Sequence, residues 1–256
     1  MSAEGVLKWG TLGALTIGGG YGLYKFLKRY RAARGTSTPL PPVRGVLEDL
    51  DILIAKDVIK NKVLGRAIIE ACYKWDYAPL LGLSHAYQES SFGVNLYGDY
   101  VNGQPTSFGV FHIQVPTAGD MRSGTTAKEL VENTSLNIDL WGKYLQWIWR
   151  NFVTNKNFNK EPFRVYGLED IQGMIPEIKN ERQAMLWHQQ AAYNSGVGNW
   201  SGRYGGKQHA PSISAYHPNA VFKRAFQWAE IIKYARKEAG QKPSAIEAAL
   251  NALLGA

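Results

Sequence analysis

The chain has 256 residues, enough for one domain with a sizeable core, and carries 29 Lys and Arg against 21 Asp and Glu. Seven of the basic residues and one acidic residue (Glu4) fall in residues 1–44, which leaves 22 basic and 20 acidic residues, a net +2, for residues 45–256. A nearly neutral body argues against a nucleic-acid-binding domain, and places the basic character in an N-terminal arm beside a membrane. One cysteine, Cys72, excludes an internal disulfide framework, and five histidines scattered without metal-ligand spacing predict neither a metal site nor a cofactor.

Residues 9–24 carry no charge, and Phe26 and Leu27 extend the apolar run beyond Lys25. A bilayer core of about 30 Å takes roughly 20 helical residues, so residues 9–27 are expected to insert as an uncleaved membrane segment. Trp9, Tyr21 and Tyr24 are interfacial residue types, and Gly18 and Gly22 form a small-xxx-small pair suited to helix–helix packing and oligomer formation. The basic cluster Lys25–Arg34 follows the apolar run, which by the positive-inside rule holds the following domain on the cytoplasmic side. The reading divides the chain into a membrane segment with basic flank (1–34), a Pro-rich linker (35–44), a main domain (45–240) and a helical tail (241–256).

From Val46 the pattern turns helical: Leu47, Leu50, Ile54, Val58 and Ile59, then Leu64, Ala67, Ile68, Ala71 and Cys72, recur on single faces. Residues 80–92 repeat that spacing and place Glu89 near a helix C-terminus, with Ser90, Ser91 and Gly93 ending the helix. There the helix dipole and an apolar wall are expected to hold the carboxyl neutral, as a general acid requires. Short β-prone runs at Leu96–Val101 and Phe108–Val115 flank an Asn102-Gly103 turn signal. Helices are expected at Ala127–Glu132, Ser135–Phe152, Glu181–Tyr193 and Val221–Ala239, with an irregular polar stretch at 153–180, a glycine-rich loop at 195–206 and an apolar-faced tail at 244–254. The fold class is mainly α with a small β-hairpin region.

Three ordered motifs then converge. Glu89-Ser90, Ser107-Phe108-Gly109-Val110 with Ile113 and Thr117-Ala118, and Ala192-Tyr193-Asn194 with Gly196 together resemble the catalytic domain of SLT-type lytic transglycosylases, over roughly residues 62–200. The resemblance implies a lysozyme-like fold that cleaves peptidoglycan glycan strands between N-acetylmuramic acid and N-acetylglucosamine, leaving anhydromuramic ends. It implies Glu89 as the single acid/base, Ser90 and Ser107 as polar groups beside it, Tyr193 bonded to its carboxyl group and Asn194 on the N-acetyl group. His112 stands where the family usually has Gln, with Gln114 two residues on. If His112 faces the cleft, its protonation beside Glu89 is expected to lower activity below about pH 6.5; otherwise it is a structural histidine.

Two alternatives stand beside this reading: a goose-type lysozyme-like hydrolase in which Asp99 positions a water, and a membrane-penetrating virion or secretion component that only binds glycan. A catalytic domain working in the cell-wall space behind a positive flank suits a phage virion protein that enters the envelope from outside.

Overall fold

The computed structural model describes residues 43–154, 166–201 and 214–255. The membrane segment 9–27, its basic flank, the Gly18/Gly22 pair and linker residues 35–42 lie outside them, as do 155–165 of the polar stretch and 202–206 of the glycine-rich loop. Among the described residues no helix is long and apolar enough to cross a membrane.

The described residues are mainly helical with one small sheet. In order run α1 (Val43–Ala55), α2 (Lys62–Trp75), α3 (Pro79–Ser90), β1 (Tyr97–Val101), β2 (Gln104–Phe108), β3 (Ile113–Gln114), α4 (Val115–Met121), α5 (Ala127–Glu132) and α6 (Thr134–Ile148), which widens into a π-helical turn over Trp149–Val153. After these come α7 (Leu168–Met174), α8 (Glu181–Ser195), α9 (Val197–Trp200), α10 (Tyr216–Glu238) and α11 (Pro243–Leu253).

Helix α3 is the central element. Pro79 opens it, where a missing N–H costs nothing, and every residue from Pro79 to Ala86 is buried. Gly82 makes that possible, because a β-carbon there would lie 2.4 Å from Cys72 Sγ on α2. On the other side α10 packs along α3, and Ser84 Oγ donates to the Val221 carbonyl at 2.7 Å. Asp49 on α1 and Arg236 on α10 form a nearly buried ion pair at 2.6 Å. The tail helix α11 buries Leu250 and Leu253, with Leu254 just beyond its end, and packs on α10 and α3.

The sheet is antiparallel in the order β1-β2-β3. Asn102 and Gly103 turn it with φ of 51° and 76°, the left-handed pair that a two-residue hairpin demands. The expected second strand, Phe108–Val115, is broken. Strand β2 ends at Phe108, Gly109–His112 make a tight turn closed by His112 N–H to the Gly109 carbonyl at 3.2 Å, and only Ile113–Gln114 return to the sheet. Gly109 permits the turn through its φ of 81° and its closeness to α6, where a β-carbon would meet Asn137 Nδ2 at 2.2 Å.

Other boundaries also moved. The polar stretch 153–180 holds a helix, α7, capped by Asp170 on the Gly167 N–H. Val115, expected to end the second strand, opens α4 instead, with Pro116 in its first turn. Helix α10 starts at Tyr216 rather than Val221, because Pro218 is tolerated in a first helical turn.

Candidate active site

Glu89 sits one residue before the end of α3, with its side chain 13% exposed. The helix stops because Ser91, Phe92 and Gly93 all take positive φ, at 51°, 63° and 82°. Ser90 belongs to that ending rather than to a site. It is fully buried, its Oγ donates to the Ala86 carbonyl and accepts from the Gly93 N–H, and it does not line the cleft.

Three imidazoles surround the carboxylate. His85, one turn earlier on α3, places Nε2 3.2 Å from Oε1. His217, in the first turn of α10, places Nε2 2.7 Å from the same oxygen. His112 places Nδ1 3.5 Å from Oε2. Histidines that are far apart along the chain therefore meet in space, which corrects the reading of them as scattered.

The partners behind the rings fix two tautomers. Trp141 Nε1–H donates to His85 Nδ1 at 3.0 Å, so Nδ1 is bare and Nε2 carries the proton given to Glu89. His112 Nε2 lies 3.0 Å from the Asn95 carbonyl, which only accepts, so that nitrogen carries a proton and Nδ1 is left to face Glu89. His217 Nδ1 is buried with no hydrogen-bond partner among the described residues.

The position of His112 is built from three elements. Asn137 on α6, itself fully buried, accepts from the Phe111 N–H at 3.0 Å and donates to the Phe108 carbonyl at 2.9 Å, which pins both ends of the turn. His112 holds a left-handed φ of 43°. Gly98 on β1 leaves room for the ring, since a β-carbon there would lie 2.5 Å from Nδ1.

Burial alone would neutralise Glu89, but hydrogen bonds from His112, His217 and His85 outweigh it and hold the carboxyl well below the usual carboxylate range. This reverses the expected neutral acid. A hydrogen bond to a charged group is worth about 1.5–3 kcal/mol, whereas a helix dipole supplies about 0.3–1 kcal/mol, so the imidazoles decide. Burial pushes His85 down to about 4 against the pull of Glu89. For His112 burial acts the same way, yet Glu89, the Asn95 carbonyl and Asp99 prevail and raise it above 6.5.

Glu89 and His112 open onto a cleft of about 350 Å³ walled by β1 and β3 on one side and by α6 and the end of α8 on the other. Among the expected residues, Gln114, Tyr193 and Asn194 line it beside them, and so does Asp99. Tyr193 Oη, however, donates to the Phe111 carbonyl at 2.7 Å rather than to Glu89, and its ring edge meets His85 with centroids 4.6 Å apart. Ser107 is buried in β2 opposite Gly98 and Gln114, its Oγ without a partner among the described residues, and is not part of the lining. Thr117, from the second motif, Asn199, from the glycine-rich loop, and Tyr144, which no sequence signal assigned to a site, also line the wall. A larger groove of about 930 Å³ between α10, α11 and the chain entering α8 holds exposed Lys and Glu side chains, among them the Lys233–Glu230 pair at 3.0 Å, and no such cluster.

His85, Glu89 and His217 bring ligand atoms within 4.8 Å of one another, close enough to hold a divalent metal ion. The hydrogen-bond chemistry does not fit one. A ligating histidine donates its other ring N–H outward, whereas His85 Nδ1 accepts from an indole that cannot accept in return, so Nε2 has no lone pair to offer.

No family model matches the sequence, and neither a curated protein nor a solved structure matches the chain.

Proposed function

We propose that the cleft cleaves glycan strands of peptidoglycan, as a lytic transglycosylase of lysozyme-like architecture, with Glu89 as the proton-exchanging group. The observation that carries this reading is the asymmetry of one carboxylate. Oε1 is anchored by two N–H donors, and Oε2 is left toward a cleft edged by polar side chains. In the reaction, the unit that includes Oε2 gives a proton to the glycosidic oxygen as the C–O bond breaks. The substrate's N-acetyl group supports the cationic carbon from within. The sugar's own hydroxyl then attacks that carbon, closing an anhydro ring and returning its proton to Oε2. General acid–base help of this sort supplies about 10²–10⁴-fold.

Gln114 and Asn194 are exposed at the cleft and are assigned to the substrate's amide and hydroxyl groups. Residues 9–27 are assigned as the membrane tether and 35–44 as the spacer, which suits a virion or envelope protein working in the cell-wall space.

One observation favours a second reading. Asp99 lines the same cleft, and a second carboxylate can direct a water onto the sugar and make the enzyme a hydrolase. Mass spectrometry of digested peptidoglycan separates the two. Anhydromuramic ends support the first, and reducing ends alone support the second.

A further inference from the structure

We propose that Glu89 and His112 hold one proton between Oε2 and Nδ1 and act as a single acid–base unit, which makes His112 a catalytic residue of the cleft. The role in turnover rests on the glycan-cleaving reading, whereas the shared proton does not.

The hydrogen-bond partners limit the proton count. His112 Nε2–H is committed to the Asn95 carbonyl, so titration of this ring occurs at Nδ1, which faces Glu89 Oε2 at 3.5 Å. A bare imidazole lone pair and a carboxylate oxygen repel at that separation, two protons collide, and one proton makes the contact attractive. The other nearby sites hold that proton less well: His217 Nδ1 has no acceptor among the described residues to which an added proton could be given. Oε1 already accepts from His85 and His217, and His85 Nδ1 is occupied by the Trp141 N–H. The ring cannot turn away, because Asn95 holds one nitrogen and the space over Gly98 receives the rest.

The groups facing the pair are His85 from α3, His217 from α10, Asp99 from β1, Tyr144 from α6 and Tyr193 from α8. The raised His112 and lowered Glu89 place the resting proton on Nδ1 beside an ionised carboxylate. In the first step the Nδ1–H bond breaks, Oε2 relays the proton to the leaving oxygen, and the C–O bond cleaves. A neutral imidazole and a carboxylate remain. In the second step the sugar hydroxyl gives its proton back to the pair as its oxygen bonds to carbon, so no proton is gained or lost over the cycle.

The sign is opposite to the expected acidic-side loss. The unit carries its proton below the raised pKa of His112 and loses it as pH rises through that value, so activity falls on the alkaline side. His112→Gln leaves the proton to Glu89 alone, which its other two donors hold ionised. Activity at pH 7 is then expected to drop about 10²-fold, within the range of general acid–base help, and the alkaline limb moves to lower pH. Gly98→Ala keeps the imidazole but displaces it, and is expected to move that limb the same way.

The test joins two measurements on the full-length protein. Two-bond ¹H–¹⁵N spectra of histidine-labelled protein are expected to show His112 titrating above pH 6.5 at Nδ1 with Nε2 always protonated, and to show the midpoint falling in Glu89→Gln. A midpoint at or below 6.5 that ignores Glu89→Gln overturns the proposal, whatever the activity. Superimposable alkaline limbs of kcat/KM for wild type and His112→Gln overturn it too. A wild type that cleaves no glycan while His112 titrates high and responds to Glu89→Gln upholds the shared proton and discards the glycan reading.

Discussion

The indole N–H of Trp141 donates to His85 Nδ1 at 3.0 Å, which commits the other nitrogen of His85 to Glu89. The bond is buried, and Phe111 stacks on the same indole at 4.0 Å with the rings 7° from parallel. A tryptophan on α6 thus sets the proton order behind a carboxylate on α3.

That order predicts how the His85–Glu89–His217 cluster treats divalent ions. Zinc added in excess is expected to leave the melting temperature unchanged, and chelators are expected to leave glycan cleavage unchanged. A zinc-dependent rise in melting temperature that disappears in His217→Ala contradicts this, because it would require His85 to offer Nε2 as a ligand.

Asn137 is the clearest positioning residue. Asn137→Ala removes both bonds that hold the Gly109–His112 turn and leaves the Phe111 N–H and the Phe108 carbonyl without that partner. The Phe111 N–H is buried, and a buried donor left unpaired costs about 1–3 kcal/mol, so thermal denaturation should register a clear loss. Activity should fall further than stability explains, since His112 loses its fixed approach to Glu89. A variant with an unchanged melting temperature contradicts the assignment.

How much of this was legible in the sequence can be read from the same residues. The 3.6-residue periodicity marked α1, α2, α3 and α6 because their apolar residues recur at helical spacing, and Asn102-Gly103 marked the hairpin because few residues accept its dihedrals. His85 was legible in principle, lying four residues before Glu89 on one helix face. His217 was not. Pro218 masks the start of α10, and nothing local links residue 217 to residue 89. Likewise, the broken strand at Gly109–His112 depends on Asn137, 25 residues beyond His112, which no local pattern encodes. Tertiary partners, not propensity, decided the protonation of Glu89.

The Asp49–Arg236 pair ties α1 to α10, and burial pushes the Asp49 carboxyl up to about 6 even with the guanidinium beside it. Arg236→Ala leaves that charge buried and unpaired, at a cost of about 3–5 kcal/mol at pH 7. The sign with pH follows from the raised value. Between the ordinary carboxylate range and pH 6 the folded state binds the extra proton, so the penalty shrinks as pH falls toward 5. Chemical denaturation at pH 5 and pH 7 reads the difference, and an equal loss at both contradicts it.

The near-neutral body supplies little attraction to a bilayer, so membrane association is expected to depend on residues 1–34. Liposome flotation of the full chain and of a 45–256 fragment compares them, and equal flotation contradicts the assignment.

The most direct measurement is the product analysis of Glu89→Gln beside wild type on purified peptidoglycan. The amide keeps the shape of the side chain but cannot give and retake a proton. The wild type is expected to release fragments with anhydromuramic ends. The variant, folded by circular dichroism, is expected to lose at least about 10²-fold in rate, the lower bound for general acid–base catalysis. Retention of more than about a tenth of wild-type turnover, against that 10²-fold expectation, contradicts Glu89 as the acid–base group.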